Sequence, residues 1–296
     1  MSNFCSIFAA NLHYTLRIMS SNSFSARRQR LVSVFEDTMD YIEHSQECLD
    51  AISYSIQNQK FIPQEETIDL PLPKYDTPAQ IRISQLRSFE AAAHYQGQHV
   101  AVLNFASATT PGGGVEKGAS AQEEALCRVS TLYPCLKDHK MWKCFYALHR
   151  SSCDALHNDD VIYTPKVLVL KDDDFNILNN PFFVDVITCA APNLREKPSN
   201  TYNQDDGCRA IISDEDLLAL HEQRAKKILA AAVNNEADVL VLGAFGCGAF
   251  RNNPYVVAKA YRNILPLFRN YFKVIEFAVY CRADDLSNFQ AFSTIL

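Results

Sequence analysis

A run of three glycines between a strand-like and a helix-like segment constrains the fold of this chain more than any other feature. The apolar run from His99 to Ala106 has the length and composition of a strand that is covered on both faces. Gly112, Gly113 and Gly114 follow it, and because they carry no Cβ atoms, the backbone N–H groups of the loop can approach a phosphate closely. Helix-like sequence resumes after Ser120. This order of elements is typical of an open α/β sheet that binds an anionic ligand at the carboxyl ends of its strands.

Two adjacent carboxylates, Glu123 and Glu124, stand at the predicted start of that helix. A helix N-terminus that binds phosphate disfavours other anions, so we expect a carboxylate here to face a sugar beside the phosphate, as in a nucleotide-sugar site. A structural interpretation is open for Glu123, because Ser120 and Glu123 have the spacing of a capping box. Glu124 lies about 100° further round the helix and is not available for that contact.

A second glycine loop follows the predicted strand 237–242. Gly243, Gly246 and Gly248 precede a helix predicted to begin at Pro254, so this loop too offers backbone donors to a phosphate. It lacks the Gly-Lys-Ser/Thr ending of a Walker A loop and the third glycine of the dinucleotide fingerprint. Two such loops, each after a strand, can bind a diphosphate from both sides.

The order of the predicted elements indicates an α/β fold class. Strands and helices alternate through most of the chain, which predicts a three-layer α/β/α domain with a parallel or mixed sheet. An amphipathic helix from Arg27 to about Cys48 and a proline-broken connector at 61–76 come first, so residues 1–75 are predicted to form a helical N-terminal extension and residues 76–296 the catalytic domain. The strands are predicted at 99–106, 166–170, 183–190, 237–242 and 273–280, and the helices at 77–95, 119–133, 135–148, 214–234 and 254–271.

Composition and charge exclude several classes of protein. A net charge of −6 and a pI near 5.8 argue against a protein that coats nucleic acid, so no direct DNA binding is predicted. The chain has no run of eighteen apolar residues, and its first twenty residues lack the basic start of a signal peptide, so neither membrane association nor secretion is predicted. We therefore expect a soluble, cytoplasmic protein, with Met19 as a possible alternative start.

Ten scattered cysteines without a Cys-x-x-Cys pair are predicted to be reduced thiols. A zinc site is one interpretation of the cysteines and histidines between 135 and 157, several of which are spaced i, i+4. Core thiols beside surface histidines are the favoured interpretation, because structural zinc sites usually have more tightly spaced pairs. No metal and no cofactor are predicted. The set comprises Cys135, His139, Cys144, His149, Cys153 and His157.

The first glycine loop and its flanks resemble the signature of poly(ADP-ribose) glycohydrolases of the compact bacterial type. The resemblance covers about residues 75 to 285 and implies a macrodomain fold. It is carried by Gly112–Gly114, by Gln122–Glu124 seven residues later, by Asn104–Ser107 and Leu126–Tyr133 on either side, and by Gly243–Phe250.

The resemblance implies hydrolysis of the ribose–ribose O-glycosidic bond of poly(ADP-ribose) from its end, with release of ADP-ribose. Most glycosidases divide the acid and base roles between two carboxylates several ångström apart, whereas adjacent residues on a helix point in different directions. In the family one carboxylate serves twice, and the resemblance assigns that role to Glu124, as acid to the leaving 2′-oxygen and then as base to water. Glu123 resembles the residue that hydrogen-bonds the ribose or the leaving hydroxyl.

Further residues are expected to bind the substrate. Gln122 is expected to orient the two glutamates, and the resemblance places Phe250 against the terminal ribose. Tyr280 is a candidate for stacking on adenine, with a core tyrosine as the alternative. The long polar loop after Ala190 is predicted to be a lid or binding loop, from which Tyr202 reaches a ligand. The complete predicted binding set is Gln122, Asn104, Gly112, Gly113, Gly114, Val115, Gly246, Cys247, Gly248, Ala249, Phe250 and Tyr280.

Two alternatives to polymer hydrolysis stay open. A relative with a more open site would remove single ADP-ribose units from a protein side chain such as arginine. A binding module would recognise ADP-ribose without cleaving it, although a binding module needs no acid such as Glu124. The predicted partners are therefore poly(ADP-ribose) or an ADP-ribosylated protein, with ADP-ribose as the product.

Overall fold

The computed structural model describes residues 25–198 and 209–296, so the predictions for Met19 and Tyr202 lie outside the described residues. Seven strands form one mixed sheet in the order β1-β4-β5-β3-β6-β7-β2. The five strands from β5 to β2 in that order are parallel, β4 is antiparallel to β5, and β1 is antiparallel to β4. The strands are β1 Lys60–Ile62, β2 Gln80–Ser84, β3 Val100–Ala106, β4 Val161–Lys171, β5 Ile177–Ala190, β6 Val239–Leu242 and β7 Val274–Ala278.

Helices cover both faces of this sheet, which confirms the three-layer α/β/α prediction. A core against one face includes side chains of α8, α9 and α10, and a second core against the other face includes side chains of α1, α3, α4 and α5. In the part of the chain that the structure describes, no helix is long and apolar enough to cross a membrane. The helices are α1 at 25–44, α2 Gln46–Asn58, α3 Ser88–Ala93, α4 Gln122–Arg128, α5 Leu132–Leu136, α6 His139–Met141, α7 Ala147–Ser152, α8 Asp214–Val233, α9 Pro254–Ile264 and α10 Ser287–Ile295, with a π-helical turn Trp142–Tyr146 between α6 and α7.

The central strand β3 explains why the two glycine loops meet. Its side chains alternate between the two cores, with Ala101 and Leu103 in one and Val100 and Val102 in the other, as period-two geometry requires. The neighbouring strand β6 runs parallel to it. Because parallel strands end at the same edge of the sheet, the loops that follow β3 and β6 emerge side by side.

The predicted helix at 77–95 is wrong over its first half. Residues Gln80–Ser84 form β2, and only Ser88–Ala93 are helical, as α3. Ile81 and Ile83 alternate with polar residues and pack on one core, which is strand periodicity. The strand pairs with the distant β7, Gln80 with Val274, and its five residues are too few for the alternation alone to distinguish a strand from a helix.

The predicted helix at 119–133 is interrupted. α4 ends at Arg128, and Ser130 then forms a β-bridge with Val169 before α5 begins. Pro134 does not stop the helix, because it lies in the first turn of α5, where its missing N–H is not needed. The capping box is also absent: the N-cap residue of α4 is Ala121, whose side chain makes no capping bond.

The segment before residue 76 contacts the rest of the fold extensively. The predicted helix 27–48 breaks at Ser45, whose hydroxyl accepts a hydrogen bond from the N–H of Cys48 and caps the unpredicted helix α2. The Phe35 ring of α1 packs edge-on against Tyr133 at a centroid distance of 4.9 Å. The strand β1 joins the sheet beside β4. A division of the chain at residue 75 stays a prediction.

Candidate active site

A cavity of about 1170 Å³ opens at the edge of the sheet where β3 and β6 end. Both glycine loops line it, through Gly113 and Gly114 on one side and Gly246 and Gly248 on the other. Glu123 and Glu124 line it as well. The structure therefore brings together the carboxylates and the two loops that the sequence singled out.

The first glycine loop positions the carboxylate of Glu124. The N–H of Gly114 donates to Oε1 of Glu124 at 2.9 Å. Gly113 has a φ of 59°, and a Cβ added to it would lie 2.5 Å from that same oxygen. Only glycine allows this approach, because the left-handed backbone disfavours other residues and the carboxylate occupies the space of a side chain. Glu124 is 8% exposed, so it is fixed by the backbone yet reaches the cavity.

Glu123 lies deeper than its neighbour and belongs to a buried network. It is 2% exposed, and its Oε2 accepts a hydrogen bond from the N–H of Ser107 at 2.7 Å. Burial and the adjacent Glu124 carboxylate raise the pKa of Glu123 well above its usual value. Burial therefore favours the neutral, protonated form of Glu123.

Asn104 supports the buried carboxylate from β3. Its Nδ2 lies 3.4 Å from Oε1 of Glu123 and 3.2 Å from the hydroxyl of Thr188. Its Oδ1 is buried and has no hydrogen-bond partner among the described residues. Because the two ends of an amide are assigned by their hydrogen bonds, a half-turn of this amide would let Oδ1 accept the proton of a neutral Glu123. This geometry fits a protonated Glu123.

Gln122 fastens the start of α4 to the central strand. Its Oε1 accepts from the N–H of Phe105 at 2.9 Å, and its Nε2 donates to the carbonyl oxygen of Leu103 at 2.7 Å and to the hydroxyl of Ser88 at 3.0 Å. No hydrogen bond links it to either glutamate in the part of the chain that the structure covers. These contacts fix the position of the start of α4, and an orienting effect of Gln122 on the glutamates stays a prediction.

The second glycine loop is held by two residues that the sequence analysis missed. The backbone N–H and the Nδ2 of Asn252 both donate to the carbonyl oxygen of Gly246 at 3.1 Å, and Nδ2 also donates to that of Pro192 at 2.7 Å. Its Oδ1 accepts from Nε2 of His221 at 2.8 Å. Burial lowers the pKa of His221 to about 4, so the ring is neutral at physiological pH. Asn252 directly precedes Asn253 and Pro254, the N-cap and first residue of α9. This Asn-Pro pair is the sequence signal that could have drawn attention to Asn252.

Two aromatic residues of the predicted binding set, Phe250 and Tyr280, line the cavity. Phe250 lines it beside the second loop, with the guanidinium carbon of Arg195 at 5.6 Å from its ring centroid. Tyr280 lines it beyond the end of β7 and is 51% exposed, so its alternative interpretation as a core tyrosine is wrong. The guanidinium carbon of Arg87 lies 4.0 Å from the Tyr280 ring centroid, which is a cation–π contact.

Some residues of the predicted binding set stand behind the cavity wall. Gln122, Gly113, Gly114, Gly246, Gly248, Ala249, Phe250 and Tyr280 line the cavity. The side chain of Val115 is fully buried in a core, and a Cβ on Gly112 would lie 2.6 Å from the Tyr133 ring. Four residues of the predicted set do not line the cavity, and their part in substrate binding stays a prediction: Asn104, Gly112, Val115 and Cys247.

No group of three or more histidine, cysteine or acidic side chains converges on a possible metal position within residues 25–198 and 209–296. The thiol of Cys135 is buried and donates to the carbonyl oxygen of Thr131. His149 is buried too, with Nδ1 at 2.9 Å from the carbonyl oxygen of Phe145, so the expectation of a surface histidine is wrong there. The described cysteines are free thiols, as predicted.

Comparison with known proteins identifies the family. The family described as microbial-type PARG (poly(ADP-ribose) glycohydrolase), catalytic domain, matches residues 15–172, which is more than half of the chain. The chain belongs to this family. It is therefore a glycosidase of the hydrolase class, a poly(ADP-ribose) glycohydrolase, as the resemblance implied. A comparison with the curated proteins gives no match.

Solved structures of bacterial enzymes agree with this assignment. The chain is 29% identical to poly(ADP-ribose) glycohydrolase from Thermomonospora curvata, with a TM-score of 0.78 over 90% of this chain and 100% of that one. The same enzyme bound to the inhibitor ADP-HPD gives 28% identity and a TM-score of 0.74 over the same shares. The enzyme from Deinococcus radiodurans in complex with ADP-ribose is 32% identical, with a TM-score of 0.71 over 83% of this chain and 96% of that one.

Proposed function

We propose that this glycohydrolase acts on the free end of poly(ADP-ribose) and releases ADP-ribose, with Glu124 as its single acid and base. One observation carries the proposal: the Glu124 carboxylate reaches a cavity that both glycine loops line. In this arrangement the diphosphate of the terminal unit binds to the backbone of the loops, and its ribose lies beside Glu124. The related enzyme from Thermomonospora curvata binds the inhibitor ADP-HPD and that from Deinococcus radiodurans binds ADP-ribose, which supports ADP-ribose as the unit bound here.

The hydrolysis requires two proton transfers at one carboxyl group. Protonated Glu124 gives its proton to the 2′-oxygen of the leaving chain while the bond from that oxygen to the anomeric carbon breaks. The carboxylate then takes a proton from water, whose oxygen bonds to the anomeric carbon, and the acid form is restored. The hydrogen bond from Gly114 holds Oε1 throughout, and no donor in the described part of the chain reaches Oε2, which leaves that oxygen for the substrate.

Glu123 has a supporting role in this proposal. Both carboxylates border Gly113, since a Cβ there would lie 2.5 Å from Oε1 of Glu124 and 3.1 Å from Oε2 of Glu123. Two negative charges this close repel each other, and a neutral Glu123 removes that repulsion when Glu124 is ionised. With its proton donated to Asn104, Glu123 can still accept a hydrogen bond from a ribose hydroxyl.

The predicted alternatives differ from polymer hydrolysis in what leaves the anomeric carbon. Hydrolysis of mono-ADP-ribosylated protein would use the same loops and the same acid. A binding module without catalysis is disfavoured, because a buried pair of carboxylates beside a diphosphate weakens binding of an anion and serves only the chemistry. The cytoplasmic location and the absence of DNA and membrane partners stay predictions.

Replacement of Glu124 tests the proposal. Glu124→Gln keeps the shape of the side chain and an acceptor for the Gly114 N–H but transfers no proton, so we expect turnover of poly(ADP-ribose) to fall by at least about 10³-fold. Binding of ADP-ribose, measured by calorimetry, is expected to persist. Glu215→Gln, on the exposed first turn of α8, is the matched control. Turnover by Glu124→Gln within tenfold of that control would refute the assignment.

The same assay separates the alternatives. The wild-type protein is given poly-ADP-ribosylated and mono-ADP-ribosylated protein in parallel, and free ADP-ribose is measured. Release from polymer supports the proposal, whereas release only from the mono-modified protein supports the second activity. Binding of ADP-ribose without its release from either substrate would identify a binding module and contradict the proposal.

A further inference from the structure

The loop that follows β5 is docked on the second glycine loop. The N–H of Leu194 donates to the carbonyl oxygen of Phe250 at 2.9 Å, and Nδ2 of Asn252 donates to that of Pro192 at 2.7 Å. The N–H of Asn193 donates to the carbonyl oxygen of Ala155 at 2.7 Å. Residues 191–195 are thereby fixed beside the place where a diphosphate is expected to bind.

Arg195 projects from this docked loop to the cavity. Its Nε donates to Oδ1 of the buried Asn193 at 3.0 Å, and its guanidinium lies over the ring of Phe250. Nη2 makes one long contact with the carbonyl oxygen of Pro198, at 3.4 Å. The side chain is therefore oriented in advance, while Nη1 has no hydrogen-bond acceptor among the described residues.

Arg195 and the nearby Arg251 carry positive charges that no carboxylate pairs with in the described ranges 25–198 and 209–296. Arg251 directly follows Phe250 in the second glycine loop. Burial and the charge of Arg251 lower the pKa of Arg195, so the two cations are near enough to repel each other. An anionic group bound beside them would offset that repulsion.

We propose that Arg195 is a substrate-binding residue that contacts a phosphoryl group of poly(ADP-ribose). The inference rests on the proposed function and on the expectation that the terminal ribose packs against Phe250. That ribose carries phosphate on one side and the leaving chain, with its own phosphates, on the other. A guanidinium on the same ring donates charge-assisted, bidentate hydrogen bonds to such a group, which neutral backbone N–H groups do not provide.

The test compares Arg195→Gln and Arg195→Lys with Arg262→Gln. Arg262 lies on the exposed side of α9, outside the cavity, and its change removes the same charge. ADP-ribose binding is measured by calorimetry, and kcat and KM are measured on poly(ADP-ribose). We expect Arg195→Gln to weaken binding about tenfold through KM, with kcat within a few-fold of wild type. Arg195→Lys keeps the charge and is expected to show a smaller loss. Higher salt should reduce the difference in affinity between Arg195→Gln and wild type, because salt screens the contact between the guanidinium and the phosphate.

The two ligands distinguish the source of the phosphate. If Arg195→Gln weakens the binding of both ADP-ribose and polymer, the contact is to the diphosphate of the terminal unit. If it weakens the binding of polymer alone, the contact is to the leaving chain. The inference is overturned if Arg195→Gln binds both ligands as tightly as Arg262→Gln does. It is also overturned if Arg195→Gln and Arg195→Lys lose the same affinity and salt does not change that loss. If the wild-type enzyme releases nothing from polymer, the proposed function fails, but the ADP-ribose titration still tests Arg195.

Discussion

Replacement of Gly113 by alanine tests whether the backbone approach to Glu124 is what positions the acid. The added Cβ would lie 2.5 Å from Oε1 and 3.0 Å from Cδ of Glu124, and 3.1 Å from Oε2 of Glu123. A carbon and an oxygen that are not bonded normally stay more than 3 Å apart, so the Glu124 carboxylate must move. The required shift is on the order of 1 Å, because ordinary contact begins at about 3.4 Å.

Two separate effects of Gly113→Ala follow from these distances. The left-handed backbone, with a φ of 59°, costs about 1–2 kcal/mol of stability for any residue with a Cβ. A displacement of about 1 Å in a catalytic group costs about 10²-fold in rate. Rotation of Glu124 would also lengthen its hydrogen bond from Gly114. We therefore expect a modest loss of stability and a large loss of kcat.

Gly97→Ala is the control that separates the two effects. Gly97 has a φ of 87°, and an added Cβ there meets no atom within 4 Å. Both variants carry the backbone strain, but only Gly113→Ala disturbs the carboxylates. Urea unfolding gives the stability, and release of ADP-ribose from polymer gives kcat. If both variants lose stability equally and kcat of Gly113→Ala stays within threefold of Gly97→Ala, the approach of the loop does not position the acid.

Two further predictions concern Glu123 and Asn252. A folded-state pKa raised above the unfolded value of about 4.3 means that the native protein binds more protons between those two values, so the free energy of unfolding falls as pH rises through that window. Glu123→Gln should flatten this fall in urea titrations between pH 4 and 8, and parallel curves for the variant and wild type would contradict the buried proton. Asn252→Ala leaves the carbonyl oxygens of Pro192 and Gly246 and the His221 ring with fewer partners, so we expect the free energy of unfolding in urea to fall by about 1–3 kcal/mol. Almost no change is expected for Asn263→Ala on α9, where the amide makes an exposed hydrogen bond to Glu222.

The parts of the fold with strong local signals were predicted from the sequence. β3 is a continuous apolar run, the glycine loop follows it directly, and α8 has an acidic first turn and a long apolar face. Parallel strands then force the two glycine loops to one edge of the sheet. For this reason the two loops and the carboxylates could be placed together without coordinates.

The misassigned segments are those whose structure depends on distant partners. β2 forms because β7 pairs with it, and the 119–133 helix breaks because Ser130 bridges to Val169 on β4. Glu123 shows the same effect at one residue: its spacing suits a capping box, but the N–H of Ser107 binds its carboxylate instead. Local propensity is a weak guide where a long-range hydrogen bond competes with it.

The residues that the sequence analysis missed in the site lack any motif. Arg195 lies in a polar loop, and nothing in that stretch indicates that its backbone docks on the second glycine loop. The hydrogen bond between His221 and Asn252 joins α8 to the segment between the second glycine loop and α9, so neither residue is informative alone. Their roles follow only from positions in space.

The helix α1 makes contacts that bear on how this protein can be shortened. A Cβ on Gly118 would lie 2.3 Å from the carbonyl oxygen of Arg28, and Nε of Arg28 donates to that of Lys117 at 2.8 Å. Nε of Arg128 donates to the carbonyl oxygen of Leu31 at 3.2 Å. A fragment that starts at residue 76 would therefore lose contacts to the turn that precedes α4 and to Arg128 on α4, the helix that carries Glu124. Expression trials aimed at a minimal enzyme should keep this helix.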